Sequence, residues 1–292
     1  MDIQLRDVKL LSSLARNRFL TSEHLHALHF TGRSLRAAQM RLKELFDDDY
    51  VERTYLMPPV DGVPRRVRPL YSLVLAGAEL VAPVLGVPVK AVPHTRAANA
   101  IGYEHLLHEL VVADFLVAAE AALRGTPGLR SVATLRDHDL RSALTSSRRR
   151  GLDGEAVVPD GALTVDHETL LRPTTLYLEV VHAGVKGGNG RLVDKLERYA
   201  RLQRAAYFAR VFDHDQVRAV VVTSPSAERL DNLQRFAARV MRHGRRFVWF
   251  ARAPRHSSRT HPPTTFTATS LAETTFIDVD GQIHRFGVEA LH

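Results

Sequence analysis

The segment from Gly32 to Phe46, GRSLRAAQMRLKELF, constrains this chain more than any other. Leu35, Ala38, Leu42 and Leu45 recur at i, i+3, i+7 and i+10, the spacing of one apolar stripe on an α-helix. Arg33, Ser34, Arg36, Ala37 and Met40 fall away from that stripe, with Arg41 and Lys43 along its flanks. The helix must therefore bury one face and show a cationic one. A shorter helical pattern, Ser22 to His29, precedes it and is entered through Thr21-Ser22, good N-cap residues. A Phe-Thr-Gly turn joins the two. VERTYLM, a Pro/Gly/Arg-rich loop and PLYSLVL follow as a candidate hairpin.

Residues 4 to 16 supply one more helix, with Val8, Leu11, Leu14 and Ala15 inward. Helices followed by a hairpin in this order are the order of a winged helix-turn-helix, whose second helix of the pair enters the DNA major groove. The candidate DNA contacts are then Arg33, Ser34, Arg36, Met40, Arg41 and Lys43 on the helix. Arg65, Arg66 and Arg68 join them at or near the tip of the wing loop MPPVDGVPRRVRP. Its paired prolines and Asp-Gly force a turn, and a loop of that length reaches a phosphate or a minor groove. His24, His26 and His29 crowd the shorter helix. With no further ligand in view they are expected to be surface polar residues, not a zinc site.

Composition bounds the rest. At 292 residues the chain exceeds what one core usually uses, which predicts two domains. We place the winged helix at 1–86, a proline-bearing linker at 87–98 and a second domain at 99–292. Cysteine is absent, which excludes disulfides and thiolate zinc sites. A formal charge of +8 favours a polyanionic partner. No apolar run approaches a membrane span, and MDIQLRDVKLL does not read as a signal peptide. A cytoplasmic, nucleoid-associated protein is the expectation.

Leu73 to Leu85 reads as a short apolar helix, and Asn99 to Arg124 as the longest helix, stopped by Gly125-Thr-Pro-Gly128. LRSVATLRD, EAVVPDGALTV and TTLYLEVVH read as strands rich in Val, Thr and Leu. RSALTSSRRRGLDGE between the first two reads as a polar, mobile insertion. Helix 191–210, strand VRAVVVTSP, helix 227–243 and strand RRFVWFAR follow, the two strands apolar enough to be covered on both faces. The tail predicts a hairpin turning at Asp280-Gly281. The fold class is thus α/β: an α+β winged helix followed by a mixed sheet flanked by helices.

Within the second domain, Asp160 opens one strand and Glu179 sits near the end of the next. Carboxylates on adjacent strands can hold Mg²⁺, and such a metal can activate water against a phosphodiester. This arrangement resembles the PD-(D/E)xK nuclease superfamily, with Asp160 and Glu179 at its acidic positions and as its metal ligands. Glu109 or Glu104 matches the helix-borne acid of many members. The departure is Val181, which stands where that pattern has lysine. A cation would have to come from Lys186, Lys195 or His182. On Val181 alone, a domain that cuts DNA poorly or not at all is expected. GVKGGNG, Gly184 to Gly190, opens a helix but lacks a P-loop ending.

Taken together, FLTSEHLHALHF-TGRSLRAAQMRLKELFDDDYVERT, VVPDGALTV, LYLEVVHAG and RLVDKLERYARL resemble the replication-relaxation family of plasmid and mobile-element proteins. Lys195 and Tyr199 match a K-x-x-x-Y helix seen there. The resemblance implies DNA binding linked to replication or transcription control, with duplex DNA as partner and no cofactor needed to bind it. The nuclease-like domain would serve dimerisation, sensing or further DNA contact. The alternative is a Mg²⁺-dependent nuclease or nickase with Asp160, Glu179, Glu109 and Lys195 at its centre.

Overall fold

In the computed structural model, residues 2–55, 66–94, 102–149, 156–181, 188–214, 216–224, 226–252, 260–261 and 266–291 are described. The chain divides into two units: residues 1–118 with 256–265, and residues 119–255 with 266–292. The division falls inside the long helix rather than at residue 99.

The first unit begins with α1 (Leu5–Asn17), β1 (Leu20–Thr21), α2 (Ser22–His29) and α3 (Leu35–Asp47). Each helix start has a local reason. Gln4 N–H donates to Asp7 Oδ2 at 2.7 Å at the head of α1. Thr21 Oγ1 accepts from His24 N–H at 3.2 Å at α2, and Ser34 Oγ from Ala37 N–H at 3.3 Å at α3. These bonds satisfy N–H groups that the first helical turn leaves unpaired. β2 (Val51–Tyr55), β3 (Arg66–Val67) and β4 (Pro69–Leu73) follow, then α4 (Leu75–Leu85). β1, β4 and β2 form a three-stranded antiparallel sheet in that order, with Val51 opposite Leu73. Ala38, Leu42 and Leu45 of α3 are fully buried with Leu10, Leu14, Leu25, Leu73 and Val81 in one core. Three residues of the predicted stripe make the packed face; Leu35 stays half-buried outside that core, and Ala37, expected on the other side, packs against it. α5 (Tyr103–Leu123) adds Ala113 and Val117 to that core.

The second unit is a sheet with helices. Its elements are β5 (Leu129–Arg136), α6 (Asp137–Arg149), β6 (Gly161–His167), β7 (Thr174–Val180), α7 (Gly188–Arg204), α8 (Tyr207–Phe212), β8 (Gln216–Thr223), α9 (Ala227–Val240) and β9 (Val248–Arg252). β10 (Thr260–His261) pairs with β3 in the first unit. α10 (Ala268–Glu273), β11 (Thr275–Asp278) and β12 (Ile283–Arg285) close the second unit. The seven-stranded mixed sheet runs β12-β11-β9-β8-β7-β6-β5. β7, β8 and β9 are parallel, and the remaining pairs antiparallel. Parallel neighbours need a crossover: α7 and α8 connect β7 to β8, and α9 connects β8 to β9. One core joins α6, α7, α8 and α9 to the sheet through Leu140, Leu144, Leu196, Tyr199, Phe208, Leu233, Tyr177 and Phe250.

Three expectations are corrected. The stretch expected to be a mobile insertion is helical as far as Arg149. Leu140 and Leu144 lie one turn apart and are buried, and Asp137 and Asp139 favour the positive end of the helix. The strand expected from Glu155 begins only at Gly161, which leaves Asp160 just outside the ladder. The helix expected to run from 191 to 210 breaks at Ala206, where φ is +51°.

Candidate functional site

Two places in the chain carry the predicted site residues. The first lies where β6 meets β7. Gly161 is paired with Leu178 in an antiparallel ladder, so one further step of the same register sets Asp160 beside Glu179. Asp160 N–H donates to the Leu178 carbonyl at 3.0 Å, and Val180 N–H donates to Asp160 Oδ2 at 2.8 Å. Glu179 is 4% exposed. Lys195 Nζ donates to its Oε2 at 2.7 Å, and the Tyr199 hydroxyl donates to its Oε1. Lys195 and Tyr199 are one helical turn apart on α7, and i, i+4 side chains share a helix face. The K-x-x-x-Y spacing therefore brings an ammonium and a phenol to the same carboxylate.

Electrostatics follow from that burial. Loss of water and the charge of Asp160 push the Glu179 carboxyl up to about 7, against the pull of Lys195 and Tyr199. Burial would lower the Lys195 ammonium, but Glu179 and Asp160 hold it above its ordinary value. The Tyr199 hydroxyl is pushed well above its ordinary range by burial and by Glu179. Val181, at the position of the missing motif lysine, is buried, with its N–H on the Thr223 carbonyl at 2.8 Å. Lys195 supplies a cation from the neighbouring helix instead.

A divalent metal fits this centre poorly. Both oxygens of the buried Glu179 already accept bonds from protein donors. One Asp160 oxygen holds a backbone N–H. Among the described residues no group of three or more His, Cys, Asp or Glu gathers to hold an ion. Hard cations such as Mg²⁺ need several free oxygens. Glu109 and Glu104 stand on α5, within the first unit. Lys186 and His182 lie outside the described residues.

The second place is α3. Arg33, Ser34, Arg36, Met40 and Lys43 are exposed, with Met40 58% open to solvent. His26 Nε2 bonds the Arg33 carbonyl at 2.7 Å, which ties the turn before α3 to α2. Lys43 pairs with Asp47 one turn on. Two predicted contacts are corrected. Arg41 is turned inward: its Nε donates to Asp7 Oδ1 at 2.8 Å, and its other nitrogens reach Asp7 Oδ2 and Glu44. Burial alone would raise the Asp7 carboxyl, but the bonds from Arg41 and the Gln4 N–H hold it below its ordinary value. Arg68 is 5% exposed and stands 3.7 Å from Glu23, so it belongs to the interior of the unit. Arg65 lies outside the described residues, and Arg66 is described only as backbone in β3.

One of the histidines also differs from expectation. His24 is buried, and its Nε2 bonds Asp114 Oδ1 of α5 at 2.6 Å while its Nδ1 accepts the Thr21 N–H. His29 Nε2 bonds Ser13 Oγ at 2.8 Å. Each of the three has its own partner. The sequence signal for His24 was its N3 position in α2, where a side chain can bond the N-cap backbone.

Residues 11–214 match the replication-relaxation family, and the chain belongs to that family. The family's description links it to replication and relaxation, the setting of plasmid and mobile-element DNA. No curated protein matches the chain, and no solved structure does.

Proposed function

We propose that the chain is a duplex-DNA-binding regulator of plasmid or mobile-element replication or transcription, with residues 1–86 acting as a winged helix-turn-helix. One observation carries this. On α3, Ala38, Leu42, Leu45 and Arg41 are engaged inside the unit, which leaves Arg33, Ser34 and Arg36 at the helix's start and Met40 further along it exposed. An N-terminal strip is the part of a recognition helix that reaches base edges. A base contact by either arginine contributes about 1–3 kcal/mol of discrimination. The test is binding of the Arg33→Ala, Arg36→Ala protein to its best site selected from random duplexes. A loss of at least 10-fold is expected, and unchanged affinity would sink the assignment.

The sheet unit then serves the regulator as a nuclease-like scaffold without turnover. A second reading, a Mg²⁺-dependent nuclease, draws on Lys195. Val181 speaks against cleavage, yet Lys195 stands 2.7 Å from Glu179. Electrostatic donors at such a centre are worth about 2.7–4 kcal/mol each. The donor set still favours the regulator, because Glu179 is closed by Lys195 and Tyr199. Incubation with supercoiled DNA in Mg²⁺ or Mn²⁺ separates the two. Cleavage abolished by both Asp160→Ala and Glu179→Ala would promote the nuclease; intact substrate with binding retained keeps the regulator.

A further inference from the structure

The positive charge of this chain is not concentrated where α3 is. Residues 1–118 carry fourteen Lys and Arg against thirteen Asp and Glu, close to neutral. Residues 188–246 carry thirteen against six, a net +7 of the whole chain's +8. That segment is α7, α8, β8, α9 and the turn after it.

The fold gathers part of this excess on one surface of the second unit. α7 and α9 share a core through Leu196, Tyr199, Leu230 and Leu233. The turn after α9 sits against α7: a Cβ on Gly244 would stand 2.2 Å from the Ala200 Cβ. Beside it Glu197 Oε1 accepts the Arg242 N–H at 2.6 Å. Arg204 is one helical turn beyond Ala200, and Arg239 ends α9. Arg204, Arg239, Arg242 and Arg246 are all exposed. Among the described residues no carboxylate pairs with Arg204, Arg239 or Arg242. Arg246 is 3.8 Å from Asp280. Glu197 bonds a backbone N–H there, not a guanidinium. The negative ends of two helices offset only about half a charge each, less than the arginines bring.

We propose that this face, at the C-terminal ends of α7 and α9, binds the phosphate backbone of duplex DNA without reading its bases. Guanidinium groups suit phosphate oxygens, and several at one surface give affinity independent of sequence. Binding to single strands uses aromatic platforms on which bases stack. Among the described residues the large exposed apolar side chains include one aromatic, Tyr55, and it lies in the first unit. A duplex backbone is therefore the polyanion this surface fits. The inference rests on the reading that duplex DNA is the partner, and it assigns to the second unit the sequence-independent share of the binding.

The test titrates the full chain against a labelled duplex of random sequence over a salt series, followed by fluorescence anisotropy. Arg204→Gln/Arg239→Gln/Arg242→Gln changes only exposed groups, and an unchanged thermal midpoint verifies folding. It is expected to bind roughly 100-fold more weakly near 0.15 M salt. The slope of log K against log salt should fall by about 2.7, at about 0.9 for each phosphate no longer neutralised. Wild-type slope and affinity in this variant, with weaker binding in Arg33→Ala/Arg36→Ala, overturn the inference and leave the α3 reading standing. Weaker binding in the triple variant alone supports the inference and removes α3 from the non-specific share. A parent that prefers single-stranded DNA or RNA, or binds no duplex, overturns it.

Discussion

Lys195 and Tyr199 grip one carboxylate from its two oxygens, and that grip sets a pH dependence. The folded chain holds the Glu179 proton up to about 7, where the group's ordinary value is 4.5. Folding is therefore favoured by this group below about 4.5, and that contribution is lost as pH rises through about 7. Urea unfolding from pH 5 to 8 should show the decline, and Glu179→Gln should flatten it. Lys195→Met removes the cation that favours the carboxylate and should move Glu179 further above 7. Carbon NMR of the Glu179 carboxyl checks this; titration near 4.5 in the parent would refute it. The pair at Asp7 has the opposite sign. Arg41 keeps Asp7 ionised below its ordinary range, so its stabilisation holds above that range and fails in acid.

Elements meet through contacts that single residues permit. Gly244 has φ +70° and no room for a methyl group, because the Ala200 side chain occupies that space. An Ala there would force a left-handed L-residue and a clash together. Gly244→Ala should cost about 2–4 kcal/mol, from overpacking plus the backbone penalty. Gly190, in the first turn of α7, meets nothing within 4 Å. Gly190→Ala should instead stabilise by about 0.4–1 kcal/mol. Denaturation of the two variants beside the parent tests both, and equal stability of all three would show that the close approach of Gly244 to Ala200 does not need a glycine. The same surface carries the arginines of the proposed phosphate contact, so the shape of one turn bears on binding.

At the scale of the whole molecule, residues 1–118 are close to neutral and residues 188–246 carry a net +7, and under the proposed function the first would read the duplex and the second hold its backbone. A single winged helix covers few base pairs, and a symmetric pair reads two half-sites. A homodimer is expected for that reason. α4 is the better candidate interface, because Leu75 and Val84 are 53% and 64% exposed. Sedimentation at micromolar concentration should show a species near twice 32.6 kDa, at least with DNA present. A 32.6 kDa species alone under both conditions would refute it. Among the described residues no helix is long and apolar enough to cross a membrane.

The sequence by itself determined Ala38, Leu42 and Leu45 as the packed stripe of α3, the capping of α2, the run of strands from Leu129 to Phe250 and the terminal hairpin. Those features are written in local periodicity and cap chemistry, which neighbours in the chain decide. It also marked Asp160 and Glu179 through strand order, and the family resemblance marked Lys195 and Tyr199 through the K-x-x-x-Y pattern. Tertiary structure decided what each polar group does. Arg41 and Arg68 carry the same side chain as Arg33 and Arg36, and only a partner distant in sequence, Asp7 or Glu23, sends them inward. His24 takes its role from Asp114, 90 residues away. The helix over Asp137–Arg149 forms because a sheet surface exists to bury Leu140 and Leu144. Charge and burial depend on which surfaces meet, and a linear pattern holds no record of that meeting.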